Sequence, residues 1–571
     1  MRLRALTAGW TPLALMLAGF LTLVHLGDFP LLVPDEGRNA EVAREMKLAG
    51  SWLVPTYDGA TYLDKPAFFF KAVALSLGLF GDSEWAARWP SALSALFWLL
   101  ALFLFCERAY GRLTARLAVV VVAATPLFTA FARIVIFDMM LGLFVSLAIF
   151  LAFLAAEADP PRRRTLYRWA ALSAGLATLV KGPVGFLVPG LVMGGLHLVS
   201  REGRRIGDFF RWGPVLVFLA VVLPWFIALS LSCPDFPYYG IMKESVARFT
   251  TTEFKRTQPA YYYAVIIASC FFPFSALLPF ALTDGGLRRR LGARADRLFL
   301  VWGLVVVVFF SLSQSKLPGY ILTGVVALGV LAARIFALAL TGDAAARRVL
   351  DRGLLTLAVL SLLLALPLLI GLWPDRLGGM PLALPVEGWN RFLPLFPGFI
   401  LALGATALAA LTALGMGRAS LGVASFLIFP LLLVTLNFEV IPRHAAQKSA
   451  MALKAALPAD LPENTEYACV ACLPHGLPFY LGQLVTVFTQ DGGELTSNYV
   501  LFSLNSGKDW PERLVPLKDL SQRISQRDHP IYLMARREGL SKLKALAGPE
   551  ASAITFLPGD YVGVLLSGPE R

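Results

Sequence analysis

The sequence predicts a polytopic α-helical membrane protein of about thirteen transmembrane helices followed by a soluble α/β domain. Three observations predict it. The chain of 571 residues is 57% hydrophobic and only 16% charged, where a typical soluble domain has roughly 25% charged residues, and its mean hydropathy is +0.66. Apolar runs of spanning length recur from the N-terminus to about residue 437. Beyond that point the runs shorten and alternate with turn residues, the pattern of strands between short helices.

Apolar stretches of ~17 to 25 residues suffice to span a bilayer. They lie near 8–27, 90–106, 117–132, 139–156, 169–181, 184–199, 213–231, 262–282, 298–312, 320–340, 354–373, 393–414 and 420–437. The first is too long for a signal-peptide core and lacks a small-x-small cleavage site, so it reads as a retained span. The net charge of +13 collects in short connections such as "MRLR", "ERAYGRLTAR", "DPPRRRTLYR", "REGRRIGDFFR" and "LRRRLGARADR", which alternate along the chain on the side of the N-terminus. Under the positive-inside bias that side is the cytoplasm, and the basic balance calls for no nucleic acid partner. The membrane region is therefore expected over 1–437 and a periplasmic α/β domain over 438–571, a sensible size for one core. In that domain "ENTEYACVA", "QLVTVFTQ", "HPIYLMAR" and "AITFLPGDYVGVLLSG" read as strands, and "AAQKSAMALKAAL" and "REGLSKLKALA" as helices. "CVAC", Cys469 to Cys472, has redox or metal spacing, but strand alternation is expected to send its two thiols to opposite faces, a structural reading. His25, His197, His444, His475 and His529 are too scattered to build a metal cluster by spacing.

The motif-like clusters fall in the opposite, outward loops, including "CPDFPYYGIMKESVARFTTTEFKRTQP" and "WPDRLGGMPLALPVEGWNR". In "LLVPDEGRNAEVAREM", Asp35 follows Pro34 and precedes Ala40, Val42, Ala43 and Met46, so it heads an interfacial helix that it either caps or overhangs as a reactive group. Glu36, Arg38, Glu41, Arg44 and Glu45 read as the solvated or headgroup face of that helix. Asp138, in "RIVIFDMM", opens a span, where a carboxylate must be capped, paired or functional. Lys65 in "YLDKPAFF", Lys181 in "LVKGPVG" and Lys316 in "SQSKLPGY" each read singly as snorkelling lysines. Together, carboxylates and cations at one membrane surface suit moving a group off a lipid phosphate. Cations and tyrosine take up the charge developing on the leaving phosphate, and a carboxylate orients the incoming oxygen or accepts its proton.

"PDEGRNAEVAREM" with "YLDKP", "FARIVIFD", "CPDFPYYGIMKESVARF" and "FFSLSQSKLPGYIL", in that order over the first ~340 residues, resembles the GT-C superfamily of membrane glycosyltransferases. Within it the set is most similar to the 4-amino-4-deoxy-L-arabinose lipid A transferases and the bacterial relatives of protein O-mannosyltransferases. The resemblance implies the polytopic GT-C fold, a polyprenyl (undecaprenyl) phosphate-linked sugar donor, a lipid or glycan acceptor at the periplasmic face of the inner membrane, and inverting single displacement. It implies Asp35 and Asp138 as catalytic carboxylates, and Lys65, Arg248 and Tyr320 as ligands of the carrier phosphate, with Lys316 a weaker candidate. Glu36 is expected to support the helix start. Asp64 stands where the family commonly has a glutamate, "DKPA" for "EKPP", and Thr323-Gly324 replaces a common "LP". In characterised members that glutamate shares a zinc site with a histidine of the later outer loop, but residues 232–260 contain no histidine. No metal site is therefore carried over and no cofactor is required, a divalent ion staying open. The reading from a different class is a lipid or solute transporter, which would show inverted repeats and mid-membrane charges.

Overall fold

The computed structural model describes residues 10–200, 211–372, 393–548 and 554–567. A helix lies on each apolar run picked out in the sequence. Among the described residues eight helices are long and apolar enough to cross a membrane, and ten if each of two bent pairs is one span. The pairs are Arg112–Ala123 with Pro126–Ala132, bent by 68°, and Tyr262–Cys270 with Phe274–Thr283, bent by 112°. Pro126 and Pro273 stand at the breaks, where a missing N–H interrupts the helical ladder. Reaching the expected thirteen also requires the shorter helices Trp10–Leu23 and Val184–Ser200 and the helix Pro160–Lys181, which opens on an arginine run. The loops "MRLR" and "WPDRLGGMPLALPVEGWNR", and nearly all of "REGRRIGDFFR", lie outside the described residues. One apolar helix, Phe68–Phe80, lies where the sequence reading had only a loop; it buries Phe69, Phe70, Val73 and Leu77.

The helix Asp35–Ala49 forms where it was expected, but its charged face is not solvated. Glu36, Arg38, Glu41, Arg44 and Glu45 are all between 0% and 8% exposed. The helix is clamped between the membrane helices and the C-terminal region, so both of its faces are covered, and its charges persist there because each is paired or hydrogen-bonded. Glu36 takes a two-pronged ion pair from Arg88, 2.9 Å on each prong, and accepts the Leu32 and Val135 N–H groups. Arg88 spends its remaining donors on the carbonyls of Leu26, Phe29 and Pro30. Arg44 pairs with Glu41 at 2.7 Å and donates to the Gly482 carbonyl. Glu45 accepts from Thr56 and from the Asp58 and Gly59 N–H groups. Gly37 allows this sandwich: a Cβ there would stand 2.7 Å from the Gly476 backbone.

A short hairpin, β1 Thr56–Tyr57 and β2 Ala60–Thr61, follows that helix. The C-terminal sheet has strands β3 Glu466–Val470, β4 Thr486–Thr489, β5 Leu514–Pro516, β6 Ile531–Arg536, β7 Thr555–Leu557 and β8 Tyr561–Leu566, in the order β5-β4-β3-β6-β8-β7. The first four run parallel and the β7–β8 hairpin closes the edge antiparallel. Alternation divides the sheet's core. Cys469, Val487, Tyr532 and Met534 face the Asp35–Ala49 helix and its neighbours, whereas Ala468, Val470, Phe488 and Leu533 face the helices Leu520–Ser525 and Leu540–Ala547. The strands of this sheet were legible except β5, which is three residues long, and the β1–β2 hairpin lies where only a loop was read. The helix Ala419–Lys448 runs unbroken through residue 437, so the change in composition there is not a change in backbone. The two thiols of "CVAC" do not part as expected: β3 ends at Val470, Ala471 turns through a positive φ, and Cys472 returns to the same buried cluster as Cys469.

Candidate functional site

Five residues from distant parts of the chain, Asp64, Lys65, Asp138, Arg248 and Tyr320, line one cavity of about 590 Å³. Lys65 comes from the turn before the Phe68–Phe80 helix, and Asp138 is the first residue of the helix Asp138–Glu157. Arg248 follows a widened, π-helical turn over Tyr239–Ala247, a rare geometry concentrated at functional sites. Tyr320 sits in the tight turn Pro318–Ile321. Gly319 beside it is needed for close approach: a Cβ there would press into the Phe131 ring and lie 3.0 Å from Asp138 Oδ1. Lys181 and Glu244 also line the cavity. The sequence reading left Lys181 as a snorkelling lysine and passed over Glu244, although Glu244 precedes Arg248 by four residues, the spacing of an ion pair on one helix face.

Glu244 Oε1 contacts both Lys65 Nζ and Arg248 Nη1, the latter at 2.7 Å. Lys65 also donates to the Asp64 carbonyl at 2.7 Å. Burial, and then the neighbouring Arg248, push the Lys65 ammonium down to about 8, Glu244 opposing them. Glu244 Oε2 and Arg248 Nε are buried without a hydrogen-bond partner. Across the cavity Lys181 pairs with Asp138 at 2.7 Å, and its ammonium lies 5.1 Å from the centre of the Tyr320 ring. Asp138 makes no capping bond to its helix, so pairing accounts for this carboxylate and capping does not. The rest of the wall is largely apolar, including Leu141, Val145, Val184, Phe218 and Val222. A polar end with three cations and three carboxylates, joined to a hydrocarbon-lined body, matches an amphiphile with a charged head.

Three of the sequence candidates stand off this lining. Asp35 is half-exposed, makes no capping bond and pairs with Arg38, which in turn binds Thr496 Oγ1 at 2.8 Å. The charges of Asp35 and Asp64 both act on Arg38. Glu36 is held by Arg88. Lys316 turns its ammonium onto the Ser313 carbonyl at 2.6 Å, where it neutralises the C-terminal end of the helix Arg294–Leu312.

Asp64 does not fit the family's zinc position. Its carboxylate already accepts Tyr239 Oη at 2.7 Å and the N–H groups of Asn498 and Tyr499 at 2.9 and 2.7 Å. Among the described residues no three His, Cys, Asp or Glu side chains are grouped to hold a metal ion.

Residues 64–227 match the family model described as dolichyl-phosphate-mannose-protein mannosyltransferase. The chain is 29% identical over 425 residues to the undecaprenyl phosphate-alpha-4-amino-4-deoxy-L-arabinose arabinosyl transferase of Shewanella sediminis, covering 74% of this chain and 75% of that protein. It is 32% identical to the protein of the same name from Yersinia enterocolitica, there covering 56% of this chain and 58% of that one. The crystal structure of ArnT from Cupriavidus metallidurans bound to undecaprenyl phosphate superposes with a TM-score of 0.80 at 25% identity, over 99% of this chain and 100% of that one. The transporter alternative finds no support among these relatives. Ordered motifs, fold and relatives agree in supporting a GT-C membrane glycosyltransferase similar to the aminoarabinose transferases.

Proposed function

We propose that this protein takes a sugar from undecaprenyl phosphate and passes it to a lipid or glycan acceptor on the periplasmic side of the bacterial inner membrane. The observation that carries this reading is the convergence of Lys65, Arg248 and Tyr320 in one apolar-walled cavity with Asp138. The donor's phosphate lies against Lys65 and Arg248, with Tyr320 beside it, and the isoprenoid runs along the apolar wall. An acceptor oxygen attacks the anomeric carbon from the face opposite the phosphate, the carbon–oxygen bond to phosphate breaks, and configuration inverts. Negative charge collects on the phosphate as the sugar leaves, so the cations stabilise the transition state more than the ground state. Asp138, and Asp35 from the Arg38 side, orient the acceptor or take its proton. The N-terminus is cytoplasmic and the sheet periplasmic, because the arginine-rich connections share the side of the N-terminus. The proposed reaction draws on no metal.

The names of the relatives make 4-amino-4-deoxy-L-arabinose the first donor sugar to test, and the resemblance of the ordered motifs to the lipid A transferases makes lipid A the first acceptor. Mass spectrometry of lipid A, other envelope glycans and polyprenyl-phosphate sugars, in cells with and without the protein, tests the reading. Loss of the protein should leave one carrier-linked sugar accumulated and one glycan short of it. Unchanged carrier lipids and unchanged glycans would overturn the proposal.

A further inference from the structure

A phosphate that touches both Lys65 and Arg248 would set its oxygens where their nitrogen atoms converge. In this structure an oxygen is already there: Glu244 Oε1 contacts Lys65 Nζ and Arg248 Nη1 at once. The carboxylate arrives from within the π-helical turn Tyr239–Ala247, immediately before Arg248. Its second oxygen and Arg248 Nε are both buried with no hydrogen-bond partner, which is costly and marks an arrangement less complete than one a phosphate would make. A phosphate has more oxygens than a carboxylate and can satisfy Arg248 along a second edge. A phosphate bound there would compete with Glu244 for Lys65 Nζ and Arg248 Nη1.

We infer that Glu244 is an internal stand-in for the carrier phosphate: it holds Lys65 and Arg248 in place in the empty site, is displaced when the lipid phosphate binds, and returns to help expel the product. The inference rests on the function proposed above and deepens it. It makes Glu244 a positioning residue that sets how tightly the spent carrier is held. Lys65 fits that arrangement: buried beside Arg248, it would lose its proton easily without an anion to keep it charged. No covalent step is involved, since one ion pair is exchanged for another.

The test measures binding of bare undecaprenyl phosphate to the full-length purified protein and its Glu244→Gln and Glu244→Asp variants, together with product inhibition during turnover. Removing the competing charge should tighten binding by Glu244→Gln on the order of tenfold, the scale of one charged hydrogen bond. The inhibition constant of the spent carrier should fall by the same factor, and kcat should fall while KM for the donor falls too. Glu244→Asp, which keeps the charge, should bind the carrier as the wild type does or less than threefold more tightly. Equal or weaker binding by a Glu244→Gln protein that melts as wild type would overturn the inference, because Glu244 would then be a fixed support of the two cations. A readout on unmodified protein covers a Glu244→Gln variant that does not fold. Carbodiimide labelling of Glu244, read by mass spectrometry, should rise when undecaprenyl phosphate is added, and protection instead would overturn the inference. Failure of the wild type to bind any polyprenyl phosphate is a separate result, which sinks the proposed function itself.

Discussion

At the scale of single residues, Lys65 is the cation whose charge depends most on its surroundings. Burial and Arg248 bring its ammonium down to about 8, so it is charged below that pH and neutral above it. A neutral amine gives the carrier phosphate no ion pair. Affinity for undecaprenyl phosphate should therefore hold near pH 7 and weaken from pH 8 to 9.5, by up to about tenfold per pH unit for one titrating group. Lys65→Arg, which stays charged throughout, should flatten the profile. A wild-type affinity that does not change between pH 7 and 9.5 would remove Lys65 from the phosphate site. Asp35 calls for a different measurement, since it stands off the cavity and pairs with Arg38. Asp35→Asn should lower turnover at least ~100-fold, the scale of a lost general base, while undecaprenyl phosphate still binds as to the wild type. Full turnover in a well-folded Asp35→Asn protein would leave Asp35 as an anchor for Arg38 and nothing more. The sequence named both residues because each sits in an ordered motif. It did not yield the part Lys181 plays, because an ion pair formed across elements has no signature in any one of them, and the sequence reading passed over Glu244 although the four-residue spacing to Arg248 was legible.

At the scale of elements, the Asp35–Ala49 helix shows where pattern reading stops. Its existence and its start were legible from Pro34 and the apolar residues that follow. Its environment was not, because charges spaced around a helix look the same whether they meet water or partners supplied by another part of the chain. Arg88, the partner of Glu36, lies in the helix Glu84–Tyr110, and the Gly482 carbonyl that Arg44 binds lies in the C-terminal region. Buried pairs of this kind cost most when half of one is removed. Arg88→Ala would leave the buried Glu36 carboxylate without its counter-charge and three carbonyls without their Arg88 donors, and should lose on the order of 3 to 5 kcal/mol of stability. Thermal unfolding in detergent should show a marked fall in Tm for Arg88→Ala and a smaller one for Glu36→Gln, which keeps the shape and one acceptor. Wild-type melting of Arg88→Ala would mean that water reaches this pair.

At the scale of the whole molecule, hydrophobic run length predicted the helical layer, and period-two alternation predicted the sheet, because both follow from local chain geometry. The way the two parts dock was invisible in advance, because it depends on contacts between residues more than four hundred positions apart. Asp64 is the clearest of them, accepting the first N–H groups of the helix Asn498–Asn505 with both of its oxygens and Tyr239 with one. A carboxylate at a helix N-terminus gains from the helix dipole as well as from the hydrogen bonds. The same residue adjoins Lys65, so the sheet region is tied to the cavity wall through one backbone step. Asp64→Asn would turn an amide NH2 toward a site that now presents only donors, and should cost about 1 to 3 kcal/mol, the penalty of a buried unsatisfied donor. Hydrogen exchange at the Asn498 and Tyr499 amides should then quicken, and affinity for undecaprenyl phosphate should fall with it, since Lys65 loses its fixed neighbour. Faster exchange without a change in affinity would confine Asp64 to holding the two parts together. Unchanged exchange at both amides would show that they are satisfied in some other way, and that the docking does not run through Asp64.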